Sequence, residues 1–261
     1  MHKPPYELLD KNDKELSLTF AKGLSVLLAF EGKNRELTIS EIATRTGLNR
    51  AVARRLIRTL EQLGYIANDR GRYRLMPRVL RLTNGFMEAR SIPQVVQPVL
   101  RAASQEIGES VSLSMLDGDE AIYVAHAFVP GRFTLNAVTI GSHVPLAPTA
   151  IGRAMLAFLD KARRDELLEQ LGLTAYTPST ITDRKNFIDL LNLIRITGFS
   201  VTSSEYVEGV SSMAVPVLSG SGEVVGALSI IFPQGQYTEA EIQGRLKEQL
   251  TRCAHDISSV F

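Results

Sequence analysis

The chain has one cysteine, Cys253, in 261 residues. No intrachain disulfide can form, and a reducing compartment, the cytoplasm, is the natural setting. Cys253 falls on an expected final helix and reads as an inert thiol. No apolar run approaches the ~20 residues needed to span a bilayer. The N-terminus lacks the apolar core of a secretory signal, so a membrane is not an expected partner. There is no Gly-x-Gly-x-x-Gly after a strand, no Walker loop and no Gly-x-Ser-x-Gly elbow. The four histidines (His2, His126, His143, His255) share no metal-ligand spacing with each other or with Cys253. Asp117, Asp119 and Glu120 cluster on an expected turn, where solvation is the default. No catalytic residue, metal or cofactor is therefore expected, and the chain does not read as an enzyme. Internal repeats and low-complexity segments are absent too.

What is present is a split of charge. Residues 1–90 hold 17 Lys and Arg against 10 Asp and Glu, and residues 91–261 hold 12 against 18, although the whole chain carries only +1. A basic N-terminal module joined to an acidic C-terminal one points to nucleic acid at one end only. At 44% hydrophobic, the chain has enough apolar material for one or two cores.

Residues 38–66 read as two helices joined by a tight turn. Thr38 and Glu41 form a capping box that starts the first. Gly47 and Leu48 interrupt it, and Asn49 caps the second, which runs to about Leu63. At about 100° per residue, Arg50, Arg54, Arg58 and Arg55 span roughly 140° of one side, while Val52, Leu56, Leu60 and Leu63 fall between roughly 200° and 280°. One face packs and the other presents guanidinium groups, as a recognition helix in a major groove requires. For a lone helix, a solvated charged face is the default, but the context here decides otherwise. Two short β-like runs follow, around an Asp69-Arg70-Gly71 tip, which is a hairpin signal. Nine arginines stand between Asn49 and Arg81 against Glu61 and Asp69. A basic hairpin after a recognition helix is the wing of a winged helix-turn-helix. The candidate DNA contacts are Thr38, Ser40, Asn49, Arg50, Ala51, Arg54, Arg55 and Arg58, with Arg70 and Arg72 on the wing.

Residues 1–16 read as a flexible tail. A first helix is expected from Ser17 to Phe30 with Ala21, Leu24, Leu27 and Leu28 buried, completing the DNA-binding domain at 17–76. Pro77 suits the start of a linker helix, residues 77–92. Its apolar face (Val79, Leu82, Phe86) needs a cover, either a second subunit or the wing domain. Beyond Pro93 a third region, 93–261, alternates helices and strands. Helices fit Pro93–Ile107, Thr149 onward, Lys161–Leu171, Arg184–Thr197 and Thr238–Ser258. Strands fit Val111–Met115, Ala121–His126, Phe133–Val138, Ser200–Ser204, Ser211–Leu218 and Val224–Ile231. Hairpin-paired strands with helices outside make an α+β, sensor-like domain.

These pieces resemble the isocitrate lyase regulator (IclR) family of bacterial transcription factors, from about Ser17 onward. The resemblance rests on Ser17-Leu18-x-Phe20-Ala21-Lys22-Gly23-Leu24, Leu60-Glu61-x-Leu63-Gly64-Tyr65 and Tyr73-Arg74-Leu75. Further along it rests on Gly141-x-x-x-Pro145, Gly152-Arg153-Ala154-Met155-Leu156, Glu205-x-x-x-Gly209 and Ala214-x-Pro216-Val217. Arg50-Ala51-Val52-Ala53-Arg54-Arg55 and Leu116-Asp117-Gly118-Asp119 are similar to the branch that regulates protocatechuate, 4-hydroxybenzoate and β-ketoadipate catabolism. The resemblance implies a winged helix-turn-helix domain, a linker helix and a GAF/PAS-like effector-binding domain. It also implies a homodimer or dimer of dimers on promoter palindromes in double-stranded DNA, with a small organic acid altering DNA binding. Carried over residue by residue, the effector site comprises Thr149, Ala150, Ile151 and Gly152 at a helix start, with Thr202, Ser212, Ser229 and Ile231. The free amides of a helix N-terminus favour a carboxylate. Ile151 and Ile231 are bulkier than the residues of some relatives, which suits an aromatic or longer apolar acid. An alternative reading is a small-molecule sensor acting on a protein partner, with only non-specific nucleic-acid binding.

Overall fold

The structure, a computed structural model, describes residues 4–7, 9–10, 13–32, 36–133, 135 and 138–261. It divides into two compact units, residues 1–86 and 87–261, whereas the sequence reading places boundaries at 76/77 and 92/93.

The first unit is built on well-capped helices. α1 (Leu18–Leu28) starts at Ser17, whose hydroxyl accepts from the Phe20 amide. α2 (Ile39–Thr46) starts at Thr38 in a complete capping box with Glu41, and Gly47 closes it in the left-handed region at φ +66°. Asn49 caps α3 (Arg50–Gln62) by accepting from the Val52 amide at 2.9 Å. β1 (Ile66–Asp69) and β2 (Arg72–Leu75) pair antiparallel. Arg70 and Gly71 both take positive φ, 49° and 83°, the signature of a two-residue type I′ hairpin. Val26, Leu37, Ile42, Ala53, Ile57 and Ile66 fill the core beneath. A Leu37–Tyr73 bridge ties the entry to α2 to the wing.

Two expectations for this unit need correction. The first concerns residues 1–16, which are not a loose tail throughout. Pro5–Glu7 forms a 3-10 turn, Tyr6 is buried in the core, and its hydroxyl donates to the Thr46 carbonyl at 2.7 Å. The carbonyls of a helix C-terminus lack intrahelical partners, and a phenol meets that need. The second concerns α1, which buries Ala21, Ser25 and Val26. Its larger side chains point outward, with Phe20 68% exposed, Leu24 40% and Leu28 47%. Only small residues fit inward where α1 meets α2, α3 and the Tyr6 turn. Leu63, placed on the apolar side of α3 by the wheel, is half-exposed at the helix end.

A 3-10 turn (Pro77–Leu80) leads into α4 (Arg81–Ala89), none of whose residues is buried. A π turn (Ile92–Val96) enters α5 (Gln97–Ile107). The second unit is organised by a six-stranded sheet. Its strands are β3 (Val111–Asp117), β4 (Glu120–Ala127), β5 (His143–Pro145), β6 (Ser200–Ser203), β7 (Val210–Leu218) and β8 (Val224–Pro233). Their spatial order is β5-β4-β3-β8-β7-β6, all neighbours antiparallel. Of the strand expected at Phe133–Val138, Phe133, Leu135 and Val138 are not in a strand, and the rest lies outside the described residues.

Strand alternation sorts the side chains by face. Leu113, Val215, Leu228 and Ile230 pack with Leu100 of α5 and Leu250 and Cys253 near the C-terminus. The helix there starts at a Thr238–Glu241 capping box with α9 (Glu239–Glu241) and continues through a π turn into α10 (Lys247–Ser258). Burial pushes the Cys253 thiol up to about 12, so it stays protonated. Ala214 and Ala227 face the other way, against α6 (Ala150–Phe158), α7 (Lys161–Gln170) and α8 (Arg184–Thr197). Residues 150–157 of α6 are all buried. Among the described residues no helix is long and apolar enough to cross a membrane, and no group of three metal-binding side chains occurs.

Candidate DNA interface and effector cavity

On the first unit, α3 exposes Arg50, Ala51, Arg54, Arg55 and Arg58, while Ala53, Leu56 and Ile57 hold its other side in the core. Ala51, Arg54, Arg55 and Arg58 line one open depression with Thr59 and Gln62, two residues the sequence reading omitted. Ser40, Asn49 and Arg50 border a second with Thr44 and Gly47, where α2 meets the start of α3. Thr38 spends its hydroxyl on the cap: it accepts from the Glu41 amide at 3.3 Å and bonds the Glu41 carboxylate at 2.8 Å. Asn49 likewise caps, so both position the helices. Arg70 and Arg72 are exposed at the wing tip, where Asn68 Oδ1 accepts from the Gly71 amide at 2.9 Å. Two arginines are structural instead. Arg45 donates to the carbonyls of Ala29 and Glu31, and Arg78 donates to the Leu63 carbonyl at the end of α3. A cation at a helix C-terminus is favourable there.

On the second unit, a cavity opens between the sheet, the start of α6 and the 204–209 turn. Counting its open mouth, it holds about 560 Å³ of space between atoms, part of it open to solvent. Six of the eight expected residues line it: Thr149, Ile151, Thr202, Ser212, Ser229 and Ile231. Ala150 and Gly152 do not. Ala150 is fully buried in the core, and Gly152 lies so close to Leu146 that a Cβ there would stand 2.2 Å from the Leu146 carbonyl oxygen. Gly152 is required for close backbone packing, the role glycine plays wherever a side chain has no room.

Most hydroxyls at the cavity are engaged. Thr149 donates to the Pro145 carbonyl at 2.7 Å and accepts from the Gly152 amide at 3.2 Å. Thr202 and Ser212 are bonded to each other at 2.9 Å across β6 and β7. Ser229 differs: it is 1% exposed, and its Oγ has no hydrogen-bond partner. In the register of the sheet it stands opposite Ser112, whose Oγ bonds His126 Nδ1 at 2.9 Å. Burial holds the His126 pKa below its ordinary value, favouring the neutral ring.

The sequence reading did not single out Tyr123 and Tyr206, both of which line the cavity. Tyr206 packs edge-on against Tyr176, with centroids 5.1 Å apart. Burial raises both phenol pKa values, aided at Tyr123 by Tyr206 and at Tyr206 by Tyr176 and Glu120. The phenols therefore remain protonated donors. Val144, Val207 and Val210 complete an apolar wall. An apolar slot with a few hydroxyls beside a helix N-terminus has the general make-up of a small-molecule site.

A basic winged helix-turn-helix and a sheet domain with a hydroxyl-lined cavity are the two parts of a one-component transcriptional regulator. The chain matches the IclR helix-turn-helix domain over residues 19–70 and the C-terminal domain of bacterial IclR regulators over 85–259. It belongs to the IclR family of bacterial transcriptional regulators. It is 31% identical to the Pca regulon regulatory protein of Pseudomonas putida over 94% of this chain and 84% of that protein. It is 33% identical to the p-hydroxybenzoate hydroxylase transcriptional activator of Acinetobacter baylyi over 80% of this chain and 79% of that protein. Among solved structures, an IclR homologue from Microbacterium hydrocarbonoxydans complexed with 4-hydroxybenzoate superimposes with a TM-score of 0.79. That homologue is 25% identical, over 93% of this chain and 98% of that one. The protein is thus a DNA-binding transcriptional regulator.

Proposed function

We propose that the protein regulates genes of aromatic-acid catabolism from the cytoplasm, without catalysis of its own. Its C-terminal cavity would take a small aromatic carboxylate that alters DNA binding. The observation that carries this is the buried, unpartnered Ser229 hydroxyl in the cavity. An unpaired buried hydroxyl is costly, and a ligand carboxylate would satisfy it. The Ile151 amide, in the first turn of α6, favours the same charge, and Ile151, Ile231 and the valines suit a ring. The branch to which the chain is similar, and the 4-hydroxybenzoate held by one relative, support the same class. Residues 77–92, which the structure resolves into a 3-10 turn and the shorter helix α4 rather than the single linker helix expected, would carry the change between the domains.

A thermal-shift screen tests the reading. Benzoate, 4-hydroxybenzoate, 3-hydroxybenzoate and adipate are each added to the full chain. A ligand at about 100 times its Kd stabilises the folded state by about 2.7 kcal/mol, which at ~2–4 °C per kcal/mol is a rise of several degrees in Tm. Adipate alone shifting the transition would refute the aromatic preference, and no shift with any acid would remove the effector reading.

Phe20, Leu24 and Leu28 recur every four residues and form one exposed stripe on α1. We infer that a second copy covers this stripe, because a palindrome read by two recognition helices requires a twofold-related partner. Leu24→Glu should convert the assembly to a smaller species in sedimentation equilibrium at micromolar concentration. It should also weaken palindrome binding more than half-site binding. An unchanged mass would place the dimer contact elsewhere.

A further inference from the structure

The Arg153–Glu205 pair lies outside the cavity lining and joins two of the segments that bound it, the start of α6 and the turn that carries Tyr206. We propose that Arg153 and Glu205 are a positioning pair that holds the cavity walls at the spacing an aromatic acid needs; this rests on the effector reading above. Arg153 is 1% exposed and Glu205 8%. The guanidinium donates to both carboxylate oxygens, Nη1 to Oε1 at 2.7 Å and Nη2 to Oε2. Its Nε donates to the Ala147 carbonyl at 2.7 Å, and its face lies over the Phe187 ring of α8, 5.7 Å from the centroid. One planar group thus fixes α6, the 147–149 approach to it and the turn that carries Glu205. Pro148 and Thr149 on one side, and Tyr206 and Val207 on the other, are cavity walls.

The turn itself is held against its own backbone preference. Ser204 sits at φ +54°, the left-handed region that a residue with a Cβ seldom adopts. Its amide donates to the Val210 carbonyl at 2.8 Å. Its hydroxyl donates to Gln234 Oε1 at 2.7 Å and accepts from the Gly209 amide at 3.0 Å. Thr177 donates to the Ser204 carbonyl, and Thr180 to that of Glu205 at 2.6 Å. The Ile181 amide reaches Glu205 Oε2 at 3.3 Å. Strained residues persist where the surroundings over-determine them, and they cluster at ligand sites.

Stability alone does not account for the pair. Replacing a buried ion pair by apolar side chains of similar volume is often neutral or stabilising. What the pair supplies is geometry, because a guanidinium fork meets a carboxylate in one plane, and a lysine ammonium cannot.

The test uses full-length protein, with Arg153→Met and Glu205→Leu made together and, separately, Arg153→Lys. Calorimetric titration with 4-hydroxybenzoate and hydrogen exchange of ligand-free protein are measured. The double variant should keep its fold and its DNA binding. Its Kd for the acid should rise at least tenfold, and amides 204–210 should exchange at least tenfold faster while the central strands are unchanged. Arg153→Lys should show the same direction of change. Folded variants with wild-type affinity and wild-type exchange overturn the positioning role. A double variant that does not fold shows a purely structural pair and also overturns it. Wild-type protein that does not bind the acid removes the aromatic-effector reading instead, and the ligand-free exchange then decides the role of the pair in setting the turn.

Discussion

Replacing Arg54 and Arg58 together by alanine should lower affinity for the operator by about 30-fold to 10⁴-fold, since each bidentate base contact is worth about 1–3 kcal/mol. Both side chains are exposed on the solvent face of α3, and alanine is the better helix former, so the fold should be preserved. The measurement is a binding titration on DNA from upstream of the gene, repeated on scrambled DNA and at several salt concentrations. If the arginines read bases, the ratio of operator to scrambled affinity collapses. If they only neutralise phosphates, both affinities fall together and the salt slope shrinks by about one for each arginine lost. The second outcome would return the chain to the alternative class, a sensor with a non-specific basic arm. Arg78→Ala is the contrast: its guanidinium is engaged with the Leu63 carbonyl, so its loss should loosen the end of α3 more than it changes discrimination.

The sequence made local structure legible wherever one residue has one reason to be where it is. Thr38, Asn49, Thr149 and Thr238 cap helices in the structure, because an orphan amide has few ways to be satisfied. The wing was legible from Asp69-Arg70-Gly71, since few pairs tolerate two positive φ values. The α1 face was not legible. Periodicity gives an apolar stripe but not what it packs against, and here the small residues face inward while Phe20, Leu24 and Leu28 face outward. Tyr6 was missed because its partner, the Thr46 carbonyl, is 40 residues away and backbone carbonyls leave no mark in a sequence. β5, three residues long, is too short to carry a pattern.

The candidate effector cavity divides in the same way. Residues carried over from the family resemblance fall at its wall when they stand on the sheet or at the α6 cap. Tyr123 and Tyr206 were invisible because they enter from β4 and from a turn, brought together only by the tertiary fold. Arg153 and Glu205 were visible as family markers without a role, since an ion pair across 52 positions has no local signal. Ala150 and Gly152 share the helix start with Ile151, but helix geometry turns successive residues about 100° apart, so only some of them can face a ligand.

Gly152→Ala should be the most damaging single-methyl change in the second unit. At an open helical position the same substitution stabilises by about 0.4–1 kcal/mol, by restricting the unfolded chain. Here the added Cβ would stand 2.2 Å from both the Cα and the carbonyl oxygen of Leu146, and 2.5 Å from its carbonyl carbon. The obstruction is backbone, so no side-chain rotation relieves it. α6 cannot retreat, because residues 150–157 are buried. Overpacking typically costs about 1–3 kcal/mol and more where relaxation is blocked. A net loss near 3 kcal/mol corresponds to roughly 6–12 °C in Tm for a domain of this size. Gly244→Ala is the internal control: it lies in the helical segment before α10 with nothing within 4 Å of an added Cβ, and it should be neutral or raise Tm slightly. Calorimetry on both variants separates the cases. Equal transitions would mean that the approach of α6 to Leu146 is looser than the structure shows. The expected divergence in sign would establish that the cavity's helix N-terminus is set by a backbone contact no other residue permits.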